Sequence, residues 1–219
     1  MMVLVRISHH GAAREPQRCG MNRMSDDVQR FDRWSKSYED CWGQRFFDSV
    51  HTAMLDLLAA SAPALQPSVV LDVGCGTGRL LRNAAVRWPA ARLIGVDPAQ
   101  GMVEVAQRLT PSGDIRQAFA ESLPLGDASV DAALSSISMH HWRDASQGLL
   151  EVARVLRPGG LFCLADISFP SWLAKLLRSK GKNRRAIREL LIRSGFAVRS
   201  RPTTLWSFVS ISVACKREA

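Results

Sequence analysis

The sequence predicts a doubly wound α/β fold of one domain, and three observations carry that expectation. After Pro67 short apolar runs alternate with amphipathic stretches; a glycine-rich segment, VVLDVGCGTGRL at 69–80, follows the first apolar run; and the last two strand-like runs have no helix between them. Strand and helix in repeated alternation build a parallel sheet covered on both faces. A closing pair of runs without a crossover helix has to pair antiparallel. The expected sheet therefore has seven strands, mostly parallel, with an antiparallel strand at its C-terminal end and helices on both faces.

The elements follow in order. Residues 1–24 show no periodicity and are expected to be a disordered extension, so the domain proper is taken as 25–219. Ser25-Asp26-Asp27 is a plausible helix start, with Phe31, Trp34 and Tyr38 at helical spacing behind it. A second helix near 45–60 carries Phe46, Val50, Met54, Leu57 and Leu58 on one face and ends in the breaker run SAPALQP, completing a helical cap over 25–62. The core at 67–167 holds strands at 69–73, 92–96, 115–118, 130–135 and 161–167, with helices near 78–88, 99–109 and 145–156. A basic segment at 168–194, with a helix near 184–194, precedes a hairpin at 195–216 made of 196–201 and 207–215.

Composition narrows the function classes. At 219 residues and 47% hydrophobic content the chain can bury a core, and no apolar run approaches the roughly 20 residues of a membrane span. Five scattered cysteines, none in a C-x-x-C pair, argue against a disulfide framework and a zinc site, and no metal is expected. They read as reduced thiols of a cytoplasmic protein. The net charge of +9 is confined to one stretch: from Lys175 to Arg201 there are ten basic residues and a single acid, Glu189.

The glycines at 74, 76 and 78 let backbone pass close beneath a bulky ligand. A dinucleotide fingerprint fails because its third glycine position is Arg79, and a P-loop fails because no G-K-[ST] follows. What is left is D-x-G-x-G-x-G, with Asp72 two residues ahead of Gly74 and Asp97 at the end of the second strand. A carboxylate at Asp72 suits a cationic group, and an acid at Asp97 suits ribose hydroxyls. Ribose and a cationic tail together describe S-adenosylmethionine.

With those residues in place, residues 28–216 resemble a class I S-adenosylmethionine-dependent methyltransferase of Rossmann-like fold, of the small-molecule branch that includes ubiquinone and menaquinone C-methyltransferases (methyltransferase type 11). VVLDVGCGTGRL resembles the first motif, GVDPAQGMVEVA the second, AESLPLGDASVDAALSSISMHH the third and fourth, and LLEVARVLRPGGLFCLAD the fifth. The resemblance implies that Gly74, Cys75, Gly76 and Gly78 form the loop beneath the cofactor, that Asp72 faces its amino-acid end and Asp97 its ribose. It further implies that Pro98 and Met102 flank the adenine with Ala120 and Leu123 opposite, that Ser135 lines the transfer face, and that Tyr38 closes the cofactor from above. One departure stands out: where the family pattern G-D-A-E-x-L-P-F has an aspartate, this chain has Phe119, which leaves Glu121 as a substitute acceptor for adenine.

His140 and His141 follow the fourth strand, where the acceptor would lie, and are the candidate bases; His141 better matches the family position. A packing or capping histidine is the competing reading. Trp172, Leu173, Leu176 and Leu177 beside Lys175, Arg178 and Lys180 have the composition of an interfacial helix, which points to contact with an anionic membrane. A solvated basic face is the bland alternative. The expected partner is a small-molecule acceptor, hydrophobic or anionic. Nucleic acid is disfavoured, because the cluster interleaves no aromatics beyond Trp172. Two further functions stay open: an RNA methyltransferase recruited by the basic segment, and a non-catalytic binder of S-adenosylmethionine.

Overall fold

The computed structural model describes residues 19–39, 44–168, 183–199, 203–205 and 208–218. The expectations for residues 1–18 and for the interfacial helix around Trp172 lie outside the described residues.

Two helices come first, α1 (Cys19–Tyr38) and α2 (Gln44–Ser61). The first begins at Cys19 and not at Asp26, so the disorder expected for residues 19–24 is not what the structure shows. Met, Asn and Arg at 21–24 contain no breaker, and Ser25 and Asp26 are tolerated inside a helix that already has a nucleus. Next come β1 (Val69–Val73), α3 (Arg79–Arg87), β2 (Arg92–Asp97), α4 (Gln100–Leu109), β3 (Asp114–Gln117) and β4 (Val130–Ser136). A 3-10 turn at Met139–His141 leads into α5 (Ala145–Val155), β5 (Leu156–Ile167), α6 (Arg184–Arg193) and the strands β6 (Phe196–Val198), β7 (Thr203–Leu205) and β8 (Val209–Lys216).

The strands run β3-β2-β1-β4-β5-β8-β6, with β7 also paired to β8. The first five are parallel, and β8 is antiparallel to β5, to β6 and to β7. The closing strands therefore pair antiparallel as expected, but the last one is not the edge. It is inserted between β5 and the interrupted edge formed by β6 and β7. Its sequence explains this: from Val209 to Cys215 every residue is buried, and a strand buried on both faces needs neighbours on both sides. The fifth strand also starts earlier than expected, at Leu156, because a register shift near Val130 and Ala132 lets Leu156 pair across the irregularity.

Two hydrophobic layers sandwich the sheet. Val50, Met54 and Leu58 of α2, with Leu81 of α3 and Ala106 of α4, cover one face. Leu149 and Val152 of α5 and Ile187 and Leu191 of α6 cover the other. Strand order reverses between β1 and β4, and the crevice outside the carboxyl ends of those strands is where such a sheet binds ligands. No helix of the described residues is long and apolar enough to cross a membrane.

Candidate functional site

A cavity of about 330 Å³ opens at that crevice, within the range of small-molecule sites. Its floor is the turn after β1. Gly74, Gly76 and Gly78 all have positive φ, at 75°, 53° and 79°. At Gly74 a Cβ would lie 1.8 Å from Ser138 Oγ, so this glycine is needed for close approach to the β4 loop. At Gly76 a Cβ would meet nothing within 4 Å, which leaves that face of the loop open to a ligand. The N–H groups of Gly74 and Cys75 both donate to Val96 O, at 2.8 and 3.0 Å, fastening the turn to β2.

Asp97 closes β2 and is itself part of the fastening. One carboxylate oxygen accepts the Gly76 N–H at 2.9 Å and the other the Ala99 N–H at 2.9 Å. Each oxygen keeps a lone pair for a further donor. Burial pushes this carboxyl up to about 6, against the pull of those two N–H bonds. Asp72 is 1% exposed, and its Oδ1 has no hydrogen-bond partner. Burial, and after it the Asp97 charge, push the Asp72 carboxyl up to about 8. An unsatisfied carboxyl facing a cavity invites a cation or a donor.

The roof comes from α1 and α2. Asp32 Oδ1 accepts the Gly101 N–H at 2.8 Å, docking α1 on α4. Trp34 stacks near Phe31, with centroids 6.2 Å apart, and meets Tyr38 edge-on at 4.9 Å. At the far end of α1, Glu39 accepts from the Thr77 hydroxyl and from Arg79 and Arg82, while Asp48 of α2 takes a second bond from Arg79 at 2.7 Å. The cap is thereby clasped to the residues that follow the glycine turn.

Of the residues predicted from sequence, Tyr38, Asp72, Gly74, Cys75, Gly76, Asp97, Pro98, Met102, His140 and His141 line this one cavity. Gly78, Ala120, Glu121, Leu123 and Ser135 do not. Gly78 precedes α3, with space for a Cβ limited by Thr110 Oγ1 at 2.9 Å. Ala120 and Leu123 are buried in the layer beneath α5, and Glu121 accepts the Asp144 N–H at 2.9 Å, next to the N-terminus of α5. Phe119, at the departure from the family pattern, lies beneath the Arg143 guanidinium, 5.3 Å from its ring centroid. Ser135 is fully buried in β4, and Ser136, Ile137 and Ser138 reach the cavity in its place. Ile137 has φ 50°, a strained conformation for a β-branched residue, and that twist turns the end of β4 into the site.

Sequence reasoning missed His51 and Asp166. His51 lines the cavity from α2, is 6% exposed with Nδ1 unpartnered, and burial pulls its imidazole down to about 4, so it is neutral near pH 7. The signal was present, since His51, Met54, Leu55 and Leu58 share one helical stripe and histidine is the polar residue in it. Asp166 sits next to last in β5 with its Oδ1 2.5 Å from His140 Nδ1. His141 Nδ1 lies 3.2 Å from Asp27 Oδ2 of α1.

These features fit S-adenosylmethionine: an orphaned buried carboxyl at Asp72 for the cationic amino-acid end, residual acceptor capacity at Asp97 for ribose hydroxyls, and an open backbone face at Gly76. Comparison with known proteins agrees. Residues 71–164 match a family described as a methyltransferase domain. Malonyl-[acyl-carrier protein] O-methyltransferase of Dechloromonas aromatica is 34% identical over 143 residues, covering 64% of this chain and 49% of that protein. Demethylmenaquinone methyltransferase of Chlorobaculum parvum is 32% identical over 101 residues, covering 46% of this chain and 42% of that protein. The chain thus spans about half the length, or less, of these curated relatives. A chain in the complex between the Trm112 methyltransferase activator of Haloferax volcanii and a methyltransferase superposes with a TM-score of 0.68, covering 86% of this chain and 98% of that one at 21% identity, a likeness of fold. A glycine turn beneath an orphaned aspartate and an acid closing β2 thus lie in or at the edge of a segment, 71–164, that matches a methyltransferase domain.

Proposed function

We propose that the chain transfers a methyl group from S-adenosylmethionine to a small-molecule acceptor at oxygen, carbon or nitrogen. The observation that carries this is the continuity of one cavity from Asp97, Pro98 and Met102, where the nucleoside would lie, to His140, His141 and Ile167, where an acceptor would approach. The cofactor supplies a methyl group on a sulfonium whose leaving group is neutral. The protein's share is then positioning: holding acceptor and methyl in line within an enclosed site provides much of the acceleration. Asp97 and the Gly76 face orient the nucleoside, Asp72 the amino-acid end. The aromatic roof of Phe31, Trp34 and Tyr38 excludes water and favours an acceptor with apolar surface. A cytoplasmic setting belongs to the same reading, supported by Cys75, Cys163 and Cys215 as free buried thiols. Peripheral contact with an anionic membrane is supported by the exposed Arg184, Arg185, Arg188 and Arg193 of α6.

Calorimetry with S-adenosylmethionine, followed by incubation of a cell extract with the methyl-labelled compound, tests this. The expected outcome is saturable binding and a labelled product accompanied by S-adenosylhomocysteine. Gly76→Ala sharpens the test. A Cβ there meets no protein atom, so the fold should lose only about 1–2 kcal/mol for the left-handed backbone, while the ligand face is blocked. Undiminished binding by a folded Gly76→Ala protein would place the cofactor elsewhere.

A further inference from the structure

We propose, resting on the methyl-transfer reading, that Phe119 determines how the cofactor's base is recognised: the purine is held by its ring face, and the amino group at its 6-position is not read. The place of the base follows from the sheet. β1, β2 and β3 are adjacent and parallel, so their carboxyl ends stand side by side. A ligand with its amino-acid end at Asp72 of β1 and its ribose at Asp97 of β2 runs towards β3, and its base reaches the loop that leaves that strand. Asp97 and Gln117 are partners in the β2–β3 ladder, and the Ala118 N–H donates to Asp97 O at 3.1 Å, so this loop starts next to Asp97 and Pro98. Phe119 follows at once. Its large apolar side chain is 39% exposed, although the alanines on either side of it are half-buried and buried.

The loop offers a purine a surface to stack on and no side chain to accept from its amino group. From Ala118 to Ala120 no side chain carries a polar atom. The polar side chains that flank this stretch are engaged: Gln117 Nε2 donates to Pro98 O at 3.0 Å, and Glu121 Oε1 accepts the Asp144 N–H at 2.9 Å. The carbonyl of Phe119 itself accepts the Ser122 N–H at 3.1 Å. The one charged group against the ring is Arg143, its guanidinium carbon 5.3 Å from the centroid, and a guanidinium only donates. An amino group, also a donor, gains nothing from such a neighbour. Stacking is indifferent to it, because every purine presents a π-face. A site that hydrogen-bonds a ligand's polar group rejects the analogue lacking it, since its own partner is then left unpaired. The side chains of residues 118–120 supply no such partner, so this loop has no means of rejecting a purine without the amino group.

Calorimetry on the full chain tests this with two probes, S-adenosylhomocysteine and its 6-hydrogen purine analogue, which keeps every ring nitrogen and lacks only the amino group. The wild type should bind the two within about threefold of each other. Phe119→Ala should weaken both by roughly fivefold or more, the lower end of base–aromatic stacking, and leave their ratio unchanged. Phe119→Asp puts an acceptor on the loop, kept ionised by Arg143, and should favour the amino probe by about tenfold or more, as a charge-assisted hydrogen bond does. Glu121→Gln should leave the wild-type ratio as it is. Circular dichroism checks that each variant is folded. A wild-type preference of about tenfold or more for the amino probe would show that the group is read after all. Undiminished binding by folded Phe119→Ala, a ratio unmoved by Phe119→Asp, or a ratio moved by Glu121→Gln would show that Phe119 does not face the base or that Glu121 reads it. Each of these results overturns the inference while leaving methyl transfer intact. A wild-type protein that binds neither probe nor S-adenosylmethionine defeats the broader reading instead.

Discussion

Asp72 is the residue where fold and function pull in opposite directions. Its carboxyl is pushed up to about 8 by burial and by Asp97, and Asp97 up to about 6, both from an ordinary 3.8. Folding therefore raises proton affinity at both sites, so their contribution is fully present below pH 3.8 and is lost as pH rises through about 6 and then about 8. The loss is on the order of a few kcal/mol, since a tenfold difference in proton affinity between folded and unfolded chain is worth about 1.4 kcal/mol. Asp72→Asn removes the ionisation at little steric cost. In thermal melts of the ligand-free protein it should raise Tm by about 5 °C or more at pH 8 and change it little at or below about pH 4. An equal effect at both pH values would mean that Asp72 does not titrate in this window. Loss of cofactor affinity in the same variant would mark the carboxylate as the cation's partner. The aspartate and the glycine spacing were legible because both are local features of one turn. Ser135 is one position short of the cavity lining, which Ser136 reaches, because the phase of a strand at its last residues is decided by the twist at Ile137, which no spacing rule records.

At the scale of elements, α1 is held to the site by a few contacts from its C-terminal half and the residue that follows it. Glu39 takes the Thr77 hydroxyl, Arg79 and Arg82, and Asp32 takes the Gly101 N–H. The Glu39 side chain is 27% exposed, as is Arg79, so screening keeps its share of global stability small, within about 1 kcal/mol. Its effect on the site should be larger, because Thr77 belongs to the turn that carries the ligand face. Glu39→Gln should leave Tm within about 3 °C and weaken S-adenosylmethionine binding roughly tenfold, chiefly through faster dissociation measured by stopped flow. Unchanged dissociation would reduce the clasp to a surface ion pair. Helices α3 to α6 were legible because their apolar periodicity is strong. The early start of α1 was not, because Ser25-Asp26-Asp27 reads as a helix start and hides the continuation of the spacing of Val28 and Phe31 back to Met24 and Met21. Glu121 likewise reads as a site residue in sequence, and only the tertiary fold assigns it to the Asp144 N–H.

Across the whole molecule, the binding crevice and the last strand are mechanically joined. Seven residues of β8 pair with β5, from Cys215 opposite Leu161 to Val209 opposite Ile167, and Ile167 lines the cavity. Asp166 is opposite Ser210 in that ladder, so the carboxylate next to His140 is backed by the C-terminal strand. The alternation of strands and helices made the parallel core readable, whereas the insertion of β8 depends on pairing between segments far apart in sequence. The strand's weight can be measured at Ile211, which is 1% exposed and shares a core layer with Met54 and Leu58 of α2. Ile211→Ala should cost about 2–5 kcal/mol, by lost burial and the cavity left behind. For a domain of this size that corresponds to a fall in Tm of roughly 5–15 °C. Substitution at Val86, an 86% exposed apolar residue of α3, is the control and should shift Tm by less than about 2 °C when changed to Ala. If Ile211→Ala melted with the control, β8 would be a peripheral addition and β5 would have to hold the acceptor end of the site by its pairing with β4 alone.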